Sequence, residues 1–194
     1  SDDSLSFTLT VTDNEGATGS ATVYVKTVQG ASNAIFFSEY AEGSSNNKYL
    51  EIFNGTGGDV DLSQYAIASC ANGCPDASTW QFPENISFDN GTIVSAGDVY
   101  VIAHPQADPL ILAEADYTGF LYLSNGDDVF GLVDATSGII IDIIGTRGPD
   151  PGDGWEVAGV SDATKDHTLV RKSSVETGNS DWESSAGTDA SDSE

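Results

Sequence analysis

Short apolar runs in which apolar and polar residues alternate are the feature that most constrains the fold of this chain. The alternation is clear in residues 5–11, 21–25 and 48–54, and clusters of Gly, Asn, Asp and Ser separate the runs. A period of two is typical of strands with one buried face, and such clusters are typical of turns. Residues 108–116 can hold one short turn of helix, and no other segment has a convincing helical period. The pattern predicts an all-β protein.

The chain has enough apolar material to fill a core between two sheets. It has 194 residues, of which 39% are hydrophobic, and it contains eight Phe, seven Tyr and three Trp. Many short amphipathic strands are buried most simply when two antiparallel sheets pack face to face. The sequence therefore predicts an antiparallel β-sandwich.

The first two apolar runs of the sandwich region, "AIFFSEY" and "KYLEIFN", give a finer expectation about side-chain directions. Phe37, Leu50 and Ile52 are expected to face the core, and Glu51 and Asn54 are expected to point elsewhere. The intervening "EGSSNN" is expected to form the turn between the two strands.

The N-terminal segment "SLSFTLTVTDNEGATGSATVYVKTV" predicts a separate β-hairpin, with its turn in "DNEGATGS". It resembles the last two strands of a polycystic-kidney-disease-type repeat, an immunoglobulin-like domain. Such a sandwich needs about seven strands, so most of that repeat is missing. The apolar face that the hairpin would offer as an interface consists of Phe7, Leu9, Val11, Val23 and Val25.

A second resemblance covers residues 34–173. The stretches "SEYAEGSSNNKYLEIFNGTGGDVDLSQYAI", "GTIVSAGDVYVIAH", "LSNGDDVFGLVD", "GIIIDIIGTRGPDPGDGW" and "DHTLVRKSSV" follow one another as they do in the bacterial lamin tail domain. The resemblance implies an immunoglobulin-like β-sandwich. It also implies a binding or structural module of secreted multidomain proteins, often beside extracellular nucleases or adhesive repeats.

Three regions follow from these patterns. Residues 1–30 comprise the hairpin and a linker, residues 34–175 the lamin-tail-like sandwich, and residues 176–194 an acidic Ser-rich tail whose composition predicts disorder. The chain begins Ser1-Asp2-Asp3 without Met or a signal-peptide pattern, so we expect a segment excised from a longer protein.

The charge balance narrows the class of partner. Six Lys and Arg stand against 31 Asp and Glu, which gives a formal net charge of −25. Such a surface repels nucleic acid and anionic lipid, and no apolar run approaches the ~20 residues that a membrane span needs. We therefore expect a protein partner. The carboxylates can serve solubility in salt, or some can bind divalent cations.

The two cysteines, Cys70 and Cys74, lie together in "SCANGCPD". A zinc site needs about four ligands, and His104 and His167 are remote in sequence. A redox pair would normally be Cys-x-x-Cys at the start of a helix. A disulfide is favoured, and it predicts an oxidising location, outside the cell or at its surface.

No catalytic motif is recognisable. The sequence has no Gly-x-Ser-x-Gly elbow, no His-Glu-x-x-His and no phosphate-binding Gly-Lys-Ser/Thr loop. Two carboxylates could act as in a glycosidase, but almost any acidic protein offers such pairs. We expect the chain not to be an enzyme.

Calcium is the one cofactor that the sequence suggests. The candidate ligands are Glu39, Glu42, Asp127 and Asp128, because they are hard oxygen donors in or beside expected turns. Asp150 and Asp153 lie in another turn, "GPDPGDG", that could hold a cation. None of these turns has EF-hand spacing, and each can equally be a plain turn.

The function that these observations favour is a non-catalytic structural or interaction module, which could assemble into filaments through its hairpin. The alternatives are an accessory domain of an extracellular nuclease or a carbohydrate-binding module. The last would use Trp80, Trp155 and Trp182 as stacking faces.

The hairpin hypothesis predicts the effect of a deletion. If the hairpin completes a sheet of a neighbouring molecule, removing residues 1–28 leaves the sandwich folded and abolishes assembly. Light scattering and circular dichroism on both chains measure the two effects. A full chain that stays monomeric at high concentration, or a truncated chain that assembles as before, contradicts the hypothesis.

Overall fold

The computed structural model describes residues 4–12, 14–26, 32–121, 123 and 125–194. It divides into two compact units, residues 1–30 and residues 31–194. Within the described ranges, no helix has the length and apolar character needed to cross a bilayer.

The first unit is the expected hairpin. Strands β1 (Ser4–Thr12) and β2 (Thr18–Lys26) pair antiparallel, and Phe7 lies opposite Val23. Leu9 is 68% exposed within this structure, whereas the side chains of Phe7, Val11, Val23 and Val25 lie outside the described set. That the five form an interface stays a prediction.

The described residues of the second unit form ten strands. In chain order they are β3 (Ile35–Glu42), β4 (Lys48–Asn54), β5 (Val60–Asp61), β6 (Tyr65–Cys70), β7 (Phe82–Ser87), β8 (Ile93–Val94), β9 (Val99–Ala103), β10 (Val129–Asp134), β11 (Ile140–Ile144) and β12 (Thr168–Val170). Two four-stranded antiparallel sheets have the orders β12-β3-β4-β9 and β11-β10-β6-β7, and β5 pairs with β8 in a small ladder.

The inner faces of the two sheets form one core. Leu50 and Ile52 of β4 share this core with Ile67 of β6 and with Phe130 and Leu132 of β10, all at most 1% exposed. Alternation along β4 places Leu50 and Ile52 on its inner face, whereas β6 and β10 are buried along nearly their whole length. The inner faces of the two sheets exclude water from each other. The expected all-β, immunoglobulin-like antiparallel sandwich is confirmed.

The segment after β9 combines an expected and an unexpected feature. Helix α1 (Pro109–Glu114) is the predicted helical turn, and the Asp108 carboxylate caps it by accepting from Leu110 N–H at 2.9 Å. The run "GFLYLS", residues 119–124, has the sequence pattern of a short strand, yet residues 119–121 and 123 form no strand. Phe120 and Leu123 are nevertheless buried in the core.

The position of Asn54 corrects the sequence analysis. Asn54 is fully buried, although we expected it to point away from the core. Its side-chain amide donates to the carbonyl oxygens of Val94 and Gly58, at 2.8 and 2.9 Å, and its Oδ1 accepts from Thr56 N–H. A buried amide with these partners satisfies the backbone at the end of β4, so its polarity carries little penalty.

The acidic tail is folded, although its composition predicts disorder. It contains helix α2 (Trp182–Ala186), and Trp182 packs against the core. The Lys172 ammonium donates to Ala190 O at 2.8 Å and also contacts Ser193 O. Tertiary contacts of this kind order a segment that lacks an apolar run of its own.

A buried ion pair connects the tail to both sheets. Asp142 of β11 is fully buried, and the Arg171 guanidinium, which follows β12, donates to both of its carboxylate oxygens at 3.1 Å. The backbone N–H groups of Phe37, Ile143 and Asn179 also donate to Asp142, at 2.8 to 3.0 Å. Burial raises the pKa of Asp142, and these donors oppose that rise.

Breaking this pair from one side is expected to be costly. Arg171→Met leaves the Asp142 carboxylate buried without its cation, which should lower the free energy of unfolding by about 3–5 kcal/mol. Urea denaturation measures the change. The double variant Asp142→Asn with Arg171→Met should lose less than the sum of the single variants, because the partners are coupled. If the loss of unfolding free energy in the double variant equals the sum of the losses in the single variants, the partners are not coupled.

Candidate functional site: an acidic groove on the outer face of the sheet

A groove of about 310 Å³ lies on the side of the β12-β3-β4-β9 sheet that faces away from the core. We call it the acidic groove. Its lining residues are Glu39, Tyr49, Glu51, Val101, Leu110, Ile111 and Glu114. Tyr49 and Glu51 alternate along β4 with the core residues Leu50 and Ile52, which is why they face outward.

Two carboxylates meet across the strands of this groove. Glu39 of β3 lies directly opposite Glu51 of β4, at a point where the pairing register shifts between Phe37 and Glu39. A shift of this kind changes where side chains point. Like charges placed opposite each other on one face destabilise a sheet. The pair is therefore an arrangement that sheet stability alone does not favour.

Hydroxyl groups hold both carboxylates in place. The Tyr49 hydroxyl donates to Glu39 Oε2 at 2.7 Å, and the Ser38 hydroxyl donates to Glu51 Oε1 at 2.7 Å. Burial raises the pKa of Tyr49, and its hydrogen bond to Glu39 and the nearby negative charges raise it further. Tyr49 therefore keeps its proton and remains a donor at neutral pH.

The protonation of Glu51 depends on its surroundings in the groove. Burial raises the pKa of Glu51, the hydrogen bond from Ser38 lowers it, and the negative charge of Glu39 raises it again. The net shift is upward. A cation that entered the groove would favour the charged form of Glu51 and would reverse this shift.

The opposite wall of the groove is largely apolar. Helix α1 contributes Leu110 and Ile111, and β9 contributes Val101. Leu110 is 81% exposed, so a long apolar side chain stands in solvent at the rim, close to the third carboxylate, Glu114. An apolar wall beside carboxylates suits a cationic side chain with an aliphatic stem, such as Lys or Arg.

Glu42, the second sequence-predicted metal ligand on β3, has other partners. It is 5% exposed, its Oε1 accepts from the Lys48 ammonium at 2.7 Å, and its Oε2 contacts the Asp166 backbone N–H. Glu42 therefore joins the β3–β4 turn to the segment that precedes β12.

Asp127 and Asp128, the other two predicted ligands, precede β10. Asp128 Oδ1 accepts from Asn72 N–H at 2.9 Å, and Asp127 is buried. Among the residues that the structure describes, no three Asp, Glu, His or Cys side chains converge to hold a metal ion. The calcium prediction is untested and stays a prediction.

The predicted disulfide is present. Cys70, at the end of β6, is bonded to Cys74, and both residues are buried. The loop between them is fastened to a second loop, because Cys74 N–H donates to Gly148 O at 2.7 Å. The disulfide thus constrains the chain at the end of β6, in the β11-β10-β6-β7 sheet.

The three tryptophans give no support to a carbohydrate platform. Each is half-buried, and all three pack against the buried cluster of Cys70, Cys74, Val129 and Ile143. Arg147 stacks on the Trp80 ring at 5.1 Å, Trp155 Nε1–H donates to Asp128 O, and Trp182 packs against the core. Their indole rings are anchors of the fold in this structure.

The fold and the outward-facing groove define an immunoglobulin-like β-sandwich module. A family model described as Lamin Tail Domain matches residues 28–148, which is more than half of the chain. The chain belongs to the lamin tail domain family. Domains of this family are interaction modules and are generally non-catalytic. No curated protein and no solved structure matches the chain.

Of the residues that line the acidic groove, only Glu39 was predicted from the sequence as a site residue. Glu39 was selected for its carboxylate, whereas Glu51 was recognised only as pointing out of the core, and Glu114 was not singled out. The available signal was the alternation in "KYLEIF", which places Tyr49 and Glu51 on one face. Their meeting with α1 depends on the pairing of β4 with β9, which periodicity does not specify.

The groove predicts a measurable change in protonation. Glu39→Gln removes one of the charges that raise the pKa of Glu51, so the pKa of Glu51 should fall. Side-chain carboxyl ¹³C shifts followed through a pH titration measure the effect. Glu156→Gln, an exposed substitution of the same type, should leave the pKa of Glu51 unchanged. An equal shift in both variants would show that the net charge of the protein, rather than Glu39, sets the value.

Proposed function

We propose that this lamin tail domain is a non-catalytic interaction module of a secreted or cell-surface protein, and that its acidic groove binds a basic segment of a protein partner. The observation that carries the proposal is the opposition of Glu39 and Glu51 beside the exposed Leu110. A Lys or Arg side chain between the carboxylates would relieve their repulsion, and its aliphatic stem would cover apolar surface.

The charge of the whole chain supports a basic partner. A net charge of −25 attracts cationic surfaces over several ångströms and speeds their association. Most of that attraction is not specific, because the Debye length at physiological salt is about 8 Å. The net charge attracts cations without placing them, whereas the acidic groove offers a fixed position for one cationic side chain.

The disulfide supports the extracellular part of the proposal. Bonds of this kind form and persist mainly in oxidising compartments. The Cys70–Cys74 loop also contacts Gly148 through Cys74 N–H. In a reducing compartment the protein would lose the disulfide that constrains the chain at the end of β6.

The hairpin of residues 4–26 supports a further part of the proposal, which is assembly with neighbouring chains or domains. A two-stranded hairpin is marginally stable by itself in water, and Leu9 is exposed within this structure. An added sheet or domain that covers the hairpin would stabilise it. The partner of the hairpin would then be another domain of the same protein or a domain of a neighbouring molecule.

Charge-neutral variants test the groove. The probe is a short peptide of alternating Lys and Leu, and titration calorimetry measures its affinity for the 194-residue chain. The double variant Glu39→Gln with Glu51→Gln should bind the peptide about tenfold more weakly, which corresponds to about 1.4 kcal/mol. A peptide of alternating Glu and Leu should not bind.

The matched control removes the same charge elsewhere. Glu156 and Glu176 are exposed outside the groove, so Glu156→Gln with Glu176→Gln has the same net charge as the groove variant. It should keep an affinity close to that of the unaltered chain. If both double variants lose affinity equally, the groove has no special role and the overall charge explains binding.

A further inference from the structure

Asp127 is a buried carboxylate without a partner for one of its oxygens. The residue is 6% exposed, and its Oδ1 accepts no hydrogen bond. An ionised carboxylate that is removed from water without compensation is strongly destabilised. Such a group needs a proton, a cation or an ordered water molecule that donates to it.

Two loops pack around the backbone at Asp127. On one side, Gly73 N–H donates to the backbone carbonyl oxygen of Asp127 at 2.9 Å. On the other, the carbonyl oxygen of Asp153 lies 2.7 Å from the point that a Cβ of Gly126 would occupy, and the φ of Gly126 is +112°. Only glycine allows this approach, so the backbone at Asp153 packs directly against the residue that precedes Asp127.

The charged groups around Asp127 leave it without a cation of its own. Burial raises the pKa of Asp127, and a hydrogen bond from its own backbone N–H lowers it. The charges of Asp150 and Asp153 raise the pKa, whereas Lys165 lowers it. The Lys165 ammonium lies 3.1 Å from Asp153 Oδ2 and is therefore engaged elsewhere. Burial also raises the pKa of the adjacent Asp128, and its Oδ1 accepts from Asn72 N–H.

We infer that Asp127 is the inner carboxylate of a binding site for a hard divalent cation, with calcium as the ion that fits best. Backbone carbonyls of the enclosing loops and water would complete the coordination, while Asp150 and Asp153 contribute negative charge at the solvent-exposed entrance. Calcium accepts carboxylate, carbonyl and water oxygens in flexible geometry, whereas magnesium demands a near-ideal octahedron.

This site differs from the one that the sequence suggested. It keeps Asp127, exchanges Glu39 and Glu42 for Asp150 and Asp153, and does not need three converged side-chain ligands. It is also separate from the acidic groove. The two proposals can therefore fail independently.

Calcium titration of the chelator-treated 194-residue chain tests the inference. Calorimetry should detect one site, and millimolar calcium should raise the melting temperature, because the ion binds only the folded state. Asp127→Asn preserves the shape of the side chain and should weaken calcium binding at least about tenfold, a loss of about 1.4 kcal/mol. Asp89→Asn, an exposed turn residue with the same change of charge, should bind calcium as before.

A second variant keeps the test decisive if Asp127→Asn does not fold. The Asp153 side chain is 73% exposed, so Asp153→Asn should fold normally and bind calcium several-fold more weakly. The inference is overturned if calcium leaves the melting temperature of the unaltered chain unchanged, or if Asp127→Asn retains the full calcium response. A more stable Asp127→Asn protein with no calcium effect in either chain would identify a protonated carboxyl instead.

Discussion

The buried ion pair of Asp142 and Arg171 is the interaction on which the rest of the sandwich depends. Asp142 belongs to one sheet, Arg171 follows a strand of the other, and Asn179 brings the tail to the same carboxylate. A buried carboxylate tolerates this position because five hydrogen bonds replace its lost water. The pair thus fixes how the sheets meet at one edge, which apolar packing alone specifies loosely.

The pair also explains why the domain extends beyond the matched family region. The family match ends at residue 148, whereas Arg171 and the tail lie after it. Trp182 packs against the core, and the Arg171 guanidinium reaches Ser185 of α2 at 3.2 Å. The last segment of the described chain is therefore part of the folded unit. Ser185 is buried, and most of the other serines and acidic residues of this segment are exposed.

The carboxylates of this acidic protein are not equivalent. Glu42 has a lysine partner, and Asp142 has an arginine partner. Glu39 and Glu51 face each other in a groove, and the buried Asp127 has an oxygen that accepts no hydrogen bond. The first two stabilise the fold. The other three are held near negative charge, and such sites gain most from a cation that arrives from outside.

The fold was predictable from the sequence to the level of its architecture, and the exceptions have physical reasons. The hairpin, the turn after β3 and the disulfide each depend on residues close together in the chain, so local patterns indicate them. Residues 119–124 have the sequence pattern of a short strand, yet the described residues 119–121 and 123 form no strand, and Phe120 and Leu123 are still buried in the core. Alternation was taken to direct Asn54 outward, yet Asn54 is buried on the same side of β4 as Leu50 and Ile52, and carbonyl oxygens supply partners for its amide.

By itself, the sequence determined the all-β class, the two-sheet sandwich, the disulfide and the acidic surface, because period-two alternation, cysteine spacing and composition are local properties. Only the tertiary structure decided which carboxylates meet. Glu39 faces Glu51 because of strand register, α1 reaches the groove because β9 pairs with β4, and Asp127 is enclosed because two distant loops converge. These placements depend on contacts between residues far apart in the chain, and no periodicity encodes such contacts.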